Sequence, residues 1–206
     1  MEEKRYYLTH EGANLIVCEY DKYNPFLNKW EESNLALDVL FGKERAFRIT
    51  QGKAMQYVKA CELAKKAHAN QKDKGGDEYY NHPCRVALRL YIYGLKTADE
   101  MMDALCAAML HDVVEDTSVT IEELEQQFPE NVVDAIRILT KNKGEDYDDY
   151  IAKIVASGNE IAMSVKASDL RDNMDLSRIP EPTAEDKARS DKYRRICEQF
   201  FAEYLN

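Results

Sequence analysis

No stretch of this 206-residue chain is apolar for long enough to cross a bilayer. No apolar run follows Met1-Glu2-Glu3-Lys4-Arg5, so no secretory signal is expected. No Cys-x-x-Cys pair occurs. The five cysteines, at positions 18, 61, 84, 106 and 197, are scattered, and Cys84 and Cys106 fall in apolar surroundings. That pattern reads as reduced thiols in a cytoplasmic protein. Basic residues are in deficit: 28 Lys and Arg stand against 38 Asp and Glu, a net charge of -10. General nucleic-acid binding needs a basic surface to replace counterions and is not expected. A phosphorylated small molecule stays open, provided that a divalent cation or a local group of Lys and Arg meets it. Repeats and low-complexity segments are also absent. What is present, 45% hydrophobic and 32% charged residues, suits one globular domain with a sizeable core.

Residues 1–50 differ in pattern from the rest. Arg5 to Thr9 and Asn14 to Tyr20 read as two short strands around the turn-like His10-Glu11-Gly12-Ala13. Asp21 to Pro25 reads as a loop, and Leu27 to Phe41 as a helix ending at Gly42. This is an N-terminal extension with a hairpin and a helix. Its Trp30, the chain's one tryptophan, reads as a packing residue. Residues 51–206 read as consecutive helices, an all-α unit. On the first helix Ala54, Val58, Cys61, Ala64 and His68 share one face. A polar loop from Asn70 to Glu78 follows. Helices are then expected over Pro83–Tyr93, Ala98–Asp116, Ile121–Phe128, Pro129–Leu139, Asp146–Ala156 and Ile161–Met174, and from Thr183 towards Tyr204. Thr97-Ala98-Asp99-Glu100 and Thr120-Ile121-Glu122-Glu123 read as capping boxes.

His111-Asp112 lies inside an apolar run, with Ala104 to Leu110 before it and Val113-Val114 after it. Buried charges are paired, hydrogen-bonded or bound to metal, so a metal centre in a helical core is the first reading. Glu115 and Asp116 follow four residues after His111 and Asp112 and share their arc of the helix. They would stand beside the metal for proton transfer. The plain alternative is a solvated acidic helix end. His82, between Tyr79-Tyr80-Asn81 and Pro83, sits at a loop-to-helix junction and can point into a cleft. His68 reads as a core histidine, and His10 as a surface residue. Asp169, with Asn173 one turn on, lies on a late helix with an apolar lead-in, where an ordinary helix surface is the alternative. Two imidazoles and two carboxylates suit Mn, Fe or Zn, with positions left for water and substrate.

The order His82, His111-Asp112, Asp169 resembles that of the HD-domain metal-dependent phosphohydrolases. Finer motifs are Ala67-His68-x-x-Gln71, Tyr79-x-x-His82-Pro83, His111-Asp112-x-x-Glu115-Asp116-Thr117 and Lys166-x-x-Asp169-x-x-x-Asn173. They resemble the hydrolase domain of the RelA/SpoT homologues, as does Leu139-Thr140-Lys141. A chain with this pattern and no synthetase segment is similar to the small alarmone hydrolases. The likeness runs over about residues 52 to 206 and implies an all-α HD-domain helical bundle.

The resemblance implies roles as well. His82, His111, Asp112 and Asp169 would bind Mn²⁺, with Fe²⁺ or Zn²⁺ as alternatives. Glu115 and Asp116 would position or deprotonate the attacking water. Asn173 would contact the ribose, Lys74 lies in the nucleotide loop, and Arg189-x-x-x-Tyr193 matches a phosphate-contacting pair. The implied reaction, part of the stringent response, is hydrolysis of the 3′-pyrophosphate of guanosine tetra- or pentaphosphate to GDP or GTP and pyrophosphate. The loop departs from the family. Where the family has Arg-Lys-Ser-Gly against the guanine, this chain has Asp73-Lys74-Gly75-Gly76, and Glu78 replaces a proline. Asp cannot stack on a base, and beside a polyphosphate it would repel. Another nucleotide, including NADPH, is therefore an alternative substrate, and a nucleotide sensor without turnover is a third reading.

Overall fold

The structure is a computed structural model that describes residues 6–9, 15–17, 21–32, 46–90 and 97–204. The N-terminal strands are β1 (Tyr6–Thr9), β2 (Leu15–Val17), β3 (Asp21–Asn24), β4 (Lys29–Glu32) and β5 (Ala46–Ile49). They form one antiparallel sheet in the order β4-β3-β2-β1-β5. The expected hairpin is β1–β2, with Tyr7 opposite Ile16. The helix expected from Leu27 is contradicted over its first residues. Pro25 to Asn28 form a turn and Lys29 to Glu32 pair with β3. Asn28 adopts a positive φ of 53°, and Asn24 Oδ1 accepts the N–H of Leu27 at 3.2 Å. Asparagine tolerates the left-handed region and caps turns with its side chain, so turn chemistry overrides the helix-like spacing of Leu27 and Trp30. The remainder of that expected helix, and His10 and Cys18, lie outside the described residues.

The sheet is fastened to the helices by aromatic residues. Tyr23 is buried with its ring edge-on to Tyr57, and the Tyr80 hydroxyl donates to the Pro25 carbonyl at 2.6 Å. Ile49 is buried, and one residue later Thr50 accepts the N–H of Lys53 and starts the first helix.

The helices are α1 (Gln51–Ala67), α2 (Asn81–Leu88), α3 (Ala98–Leu110), α4 (Val113–Asp116), α5 (Ile121–Glu125), α6 (Glu130–Leu139), α7 (Tyr147–Ser157), α8 (Glu160–Met174) and α9 (Ala184–Phe200). The predicted face of α1 is right: Ala54, Val58, Cys61, Ala64 and His68 are all buried. Helix α3 is the axis of the bundle. Every residue from Met101 to Leu110 is buried, and the helix packs against α1, α2, α6 and α8. Its alanines at 104, 107 and 108 let those neighbours come close, while Leu105 and Met109 fill the gaps between them. Asp103, buried within α3, is paired with Lys53 of α1 and with Asn131 of α6, both at 2.5 Å. Both expected capping boxes form, at Thr97 and Thr120.

One helix is not continuous as expected. The run Ala98–Asp116 ends at Leu110, turns at His111-Asp112 and resumes as the single turn α4. The break places both side chains at the end of α3 instead of along its flank. Among the described residues no helix is long and apolar enough to cross a membrane, and Cys61, Cys84, Cys106 and Cys197 are free and buried.

Candidate metal centre

Three places in the fold deliver the site. His82 enters on the first turn of α2, His111 and Asp112 at the break after α3, and Asp169 from the middle of α8. Ligand atoms of His82, His111 and Asp112 all lie within 4.8 Å of one another. Asp169 Oδ1 joins them, 3.2 Å from His82 Nε2 and 3.8 Å from His111 Nε2. Residues from three separate stretches of the sequence thus come together.

The outward hydrogen bonds decide which atoms face that point. His111 Nδ1 donates to the Ala108 carbonyl at 2.8 Å, a partner that can only accept. His82 Nδ1 donates to Asp172 Oδ2 at 2.8 Å. Both imidazoles therefore turn Nε2 inward. His111 Nε2 is buried and has no hydrogen-bond partner, although Asp112 Oδ2 lies 3.0 Å away. An orphaned ring nitrogen among carboxylates is costly unless a cation binds there. The donor set of two nitrogens and two carboxylates fits a divalent cation, each imidazole being oriented by a second partner.

Electrostatics agree with this reading. Burial opposes charge on His82 and His111, yet the carboxylates Asp169 and Asp172 around the first and Asp112 and Asp169 around the second outweigh it. Both histidines are raised above their ordinary value. Burial also opposes ionisation of Asp112 and Asp169, but His111 beside Asp112 and Lys166 beside Asp169 hold both low. Lys166 Nζ donates to Asp169 Oδ2 at 2.8 Å, over the rings of Tyr150 and Tyr147, and Asn173 Nδ2 donates to Oδ1 at 2.5 Å.

The cluster opens into a cleft of about 360 Å³ lined also by Glu115, Asp116, Lys74, Asn173, Arg189 and Tyr193. Every site residue singled out in the sequence borders this cleft. Glu115 Oε2 accepts the N–H of Lys141 at 3.1 Å. Both Glu115 and Asp116 are raised above the ordinary carboxylate value, first by burial on the cleft side, with the charge of Asp112 adding to it. Lys74 and Arg189 share one carboxylate, Asp186 Oδ1, at 3.3 and 3.0 Å. Tyr193 packs its ring near Tyr147, 5.8 Å between centroids. His68 is a core histidine as expected, but only half satisfied. Its Nδ1 bonds Gln71 Oε1 at 2.8 Å while its buried Nε2 has no partner.

Three features escaped the sequence reading. The Tyr79 hydroxyl donates to Asp112 Oδ2 at 2.5 Å and lies 3.4 Å from Asp116 Oδ2, tying the cluster to the acidic pair. Asp172, fully buried, holds His82 and is itself held by Arg85, Arg89 and Arg178. Asp73 borders the cleft, but its charge is met by arginines and is not left free to repel as the sequence argument requires. Its carboxylate is 8% exposed and is bonded to Arg85 and Arg178. The motif spacing hinted at Tyr79; nothing in the sequence linked Asp172 or Asp73 to arginines far along the chain.

Residues 60–161, which include α3, the break and α4, match the family model of the HD domain. This segment is an HD domain. The chain is 35% identical over 127 residues to a guanosine-3′,5′-bis(diphosphate) 3′-pyrophosphohydrolase of Aquifex aeolicus, covering 59% of this chain and 18% of that protein. It is 36% identical over 88 residues to a probable enzyme of the same name from Mycoplasma pneumoniae, covering 43% and 11%. It is 33% identical over 134 residues to a GTP pyrophosphokinase of Streptomyces coelicolor, covering 64% and 14%. The chain thus spans less than a fifth of the length of these relatives. The chain also shares its fold with a metazoan orthologue of SpoT, described as hydrolysing ppGpp. That match has a TM-score of 0.57 and 24% identity, over 73% of this chain and 86% of the other.

Proposed function

We propose that this HD-domain protein hydrolyses the 3′-pyrophosphate of guanosine tetra- or pentaphosphate with Mn²⁺, giving GDP or GTP and pyrophosphate. The observation that carries the reading is the convergence of His82, His111, Asp112 and Asp169 beside the ionisable pair Glu115 and Asp116. The names of the similar proteins supply the substrate class. Residues 51–206 act as the hydrolase unit, with residues 1–50 as an extension. Four free thiols accord with a cytoplasmic setting.

In this account His82, His111, Asp112 and Asp169 hold the cation. When bound, it lowers the pKa of water towards neutrality and offsets charge on phosphoryl oxygens. The chain's own groups do the rest. Glu115 and Asp116, raised in pKa, accept the proton of the attacking water better than free carboxylates would. Water adds to the proximal phosphorus of the 3′-pyrophosphate, the bond from phosphorus to the 3′ oxygen breaks, and that oxygen leaves with a proton. Lys74 and Arg189, two cations on the single Asp186, keep net positive charge for the polyphosphate. Asn173 lies on the cleft wall where a ribose hydroxyl can meet it.

A second reading, the same chemistry on another nucleotide such as NADPH, is favoured by the altered loop at Asp73. A substrate panel separates the two. The protein is incubated with Mn²⁺ and ppGpp, pppGpp, NADPH or common nucleotides, and the released phosphate species is identified. Pyrophosphate from ppGpp supports the first reading, and orthophosphate from NADPH alone supports the second. Bound Mn²⁺ with no turnover of any of them contradicts both and leaves a sensor.

A further inference from the structure

The fold turns the odd residue of the nucleotide loop into a holder for an arginine on the facing wall. Asp73 Oδ1 accepts the N–H groups of Gly75 and Asp77, at 2.9 and 3.0 Å, and so closes its own loop. Asp73 Oδ2 accepts from Arg178 Nη1 at 3.0 Å and Arg85 Nη2 at 3.3 Å. Arg178 ends the single 3₁₀ turn Leu176–Arg178 that follows α8. Its Nη2 donates to the carbonyl and to Oδ2 of Asp172, at 3.0 and 3.1 Å. Gly75 makes the contact between loop and turn feasible. A Cβ there would stand 2.8 Å from the Arg178 carbonyl oxygen, closer than real Cβ atoms come.

Arg178 is therefore clamped in its own plane. Both terminal amino groups are committed to carboxylates, and Nε is buried without a partner. The side chain is 24% exposed and borders the cleft beside Ile179 and Gly75. A guanidinium whose terminal N–H groups are taken by two carboxylates, which it shares with Arg85 and Arg89, has little left to donate to a phosphate. A guanidinium plane stacks well on planar rings even when its terminal N–H groups are engaged. Lys74 and Arg189 each make one contact to the shared Asp186 Oδ1 and keep further N–H groups to donate. The cleft thus holds a flat cation with its terminal N–H groups committed and a pair of cations with N–H groups to spare.

We propose that Arg178, held in plane by Asp73 and Asp172, is the stacking platform for the nucleobase and so a specificity-determining residue. This deepens, and rests on, the reading of the protein as a nucleotide phosphohydrolase. The ligand class is a nucleoside polyphosphate with a planar base. The base lies on Arg178 and the apolar Ile179, while phosphate affinity comes from other residues.

The test uses the full chain with Arg178→Ala and Arg178→Lys. Calorimetry measures the affinity of Mn²⁺ alone, then GDP and inorganic pyrophosphate in the presence of Mn²⁺. Lysine keeps the charge and loses the plane, so both variants are expected to weaken GDP roughly tenfold. Pyrophosphate and Mn²⁺ affinities are expected to stay unchanged. Asp73→Asn, which keeps the loop caps and loosens the arginine, is expected to weaken GDP to a smaller degree. It carries the test if the Arg178 variants do not fold. Arg178→Lys with wild-type GDP affinity overturns the proposal, as does an Asp73→Asn variant that binds GDP like wild type. Loss of pyrophosphate or Mn²⁺ affinity in step with GDP also overturns it, because Arg178 would then be an anchor or a scaffold. Failure of the unmutated protein to bind GDP with Mn²⁺ present overturns the underlying reading instead, and is distinguishable because it needs no variant.

Discussion

His111 and His82 show how second partners select chemistry at single residues. Each ring is turned by a bond at Nδ1, to the Ala108 carbonyl and to Asp172, so that Nε2 faces the cluster. Removing the charge of one such partner, Asp172→Asn, is expected to weaken Mn²⁺ binding roughly 10- to 100-fold, read by calorimetry on the folded variant. Unchanged affinity would mean that Asp172 serves the three arginines and not the ligand. Glu115 and Asp116 give a second residue-level expectation. Burial, reinforced by Asp112, raises both carboxyls, more than offsetting for Glu115 the bond from the Lys141 N–H. In the proposed reaction the ionised form is the base. Activity is therefore present above the raised pKa and lost as pH falls through it, at a higher pH than the ordinary carboxylate values of about 3.9 and 4.3 allow. Glu115→Gln or Asp116→Asn should lower kcat by roughly 10²- to 10⁴-fold with Mn²⁺ affinity retained. A kcat/KM profile whose acid limb lies at the ordinary carboxylate value would count against these residues as the base.

Among the elements, α3 leads into the site and is buried from Met101 to its end. Leu105, 1% exposed, packs at its centre, and Leu105→Ala is expected to cost about 2–5 kcal/mol in urea unfolding. A cost under about 1 kcal/mol would mean that the bundle axis lies elsewhere. The helices were legible in the sequence because their starts are written locally. Thr97, Thr120 and Thr183 cap with the side chain and are answered three residues on by Glu100, Glu123 and Asp186. The sheet was legible only at β1–β2. The β3–β4 pair depends on a left-handed Asn28, which spacing does not announce, and β5 pairs with β1 across residues far apart in the chain. The proposed ligands were legible because each sits in a short motif. The arginines around Asp172 and Asp73 were not, since Arg85 and Arg178 come from α2 and the turn after α8 and meet only in the folded state.

At the scale of the whole molecule, the cluster links folding, pH and metal. His82 and His111 are raised, so their protonated forms stabilise the metal-free fold fully below the ordinary histidine value of about 6.5, and that stability is lost as pH rises through the raised values. Asp112 and Asp169 are lowered, so their contribution is present above about 3.9 and lost as pH falls through the lowered values. The metal-free cluster is thus most stabilising between about pH 4 and 6.5. A cation competes with the same protons, so the rise in Tm on adding Mn²⁺ should grow from pH 5.5 to 8, measured by scanning calorimetry. At a hundredfold excess over Kd the gain is about 2.7 kcal/mol. A rise in Tm that shrinks with pH would place the metal on other ligands. The central claim, a divalent cation held by four residues from α2, the α3–α4 break and α8, is tested most directly by crystals grown with Mn²⁺ and measured at its absorption edge. The account predicts one anomalous peak at bonding distance from His82 Nε2, His111 Nε2, Asp112 and Asp169. A peak elsewhere, or none at saturating Mn²⁺, would contradict it.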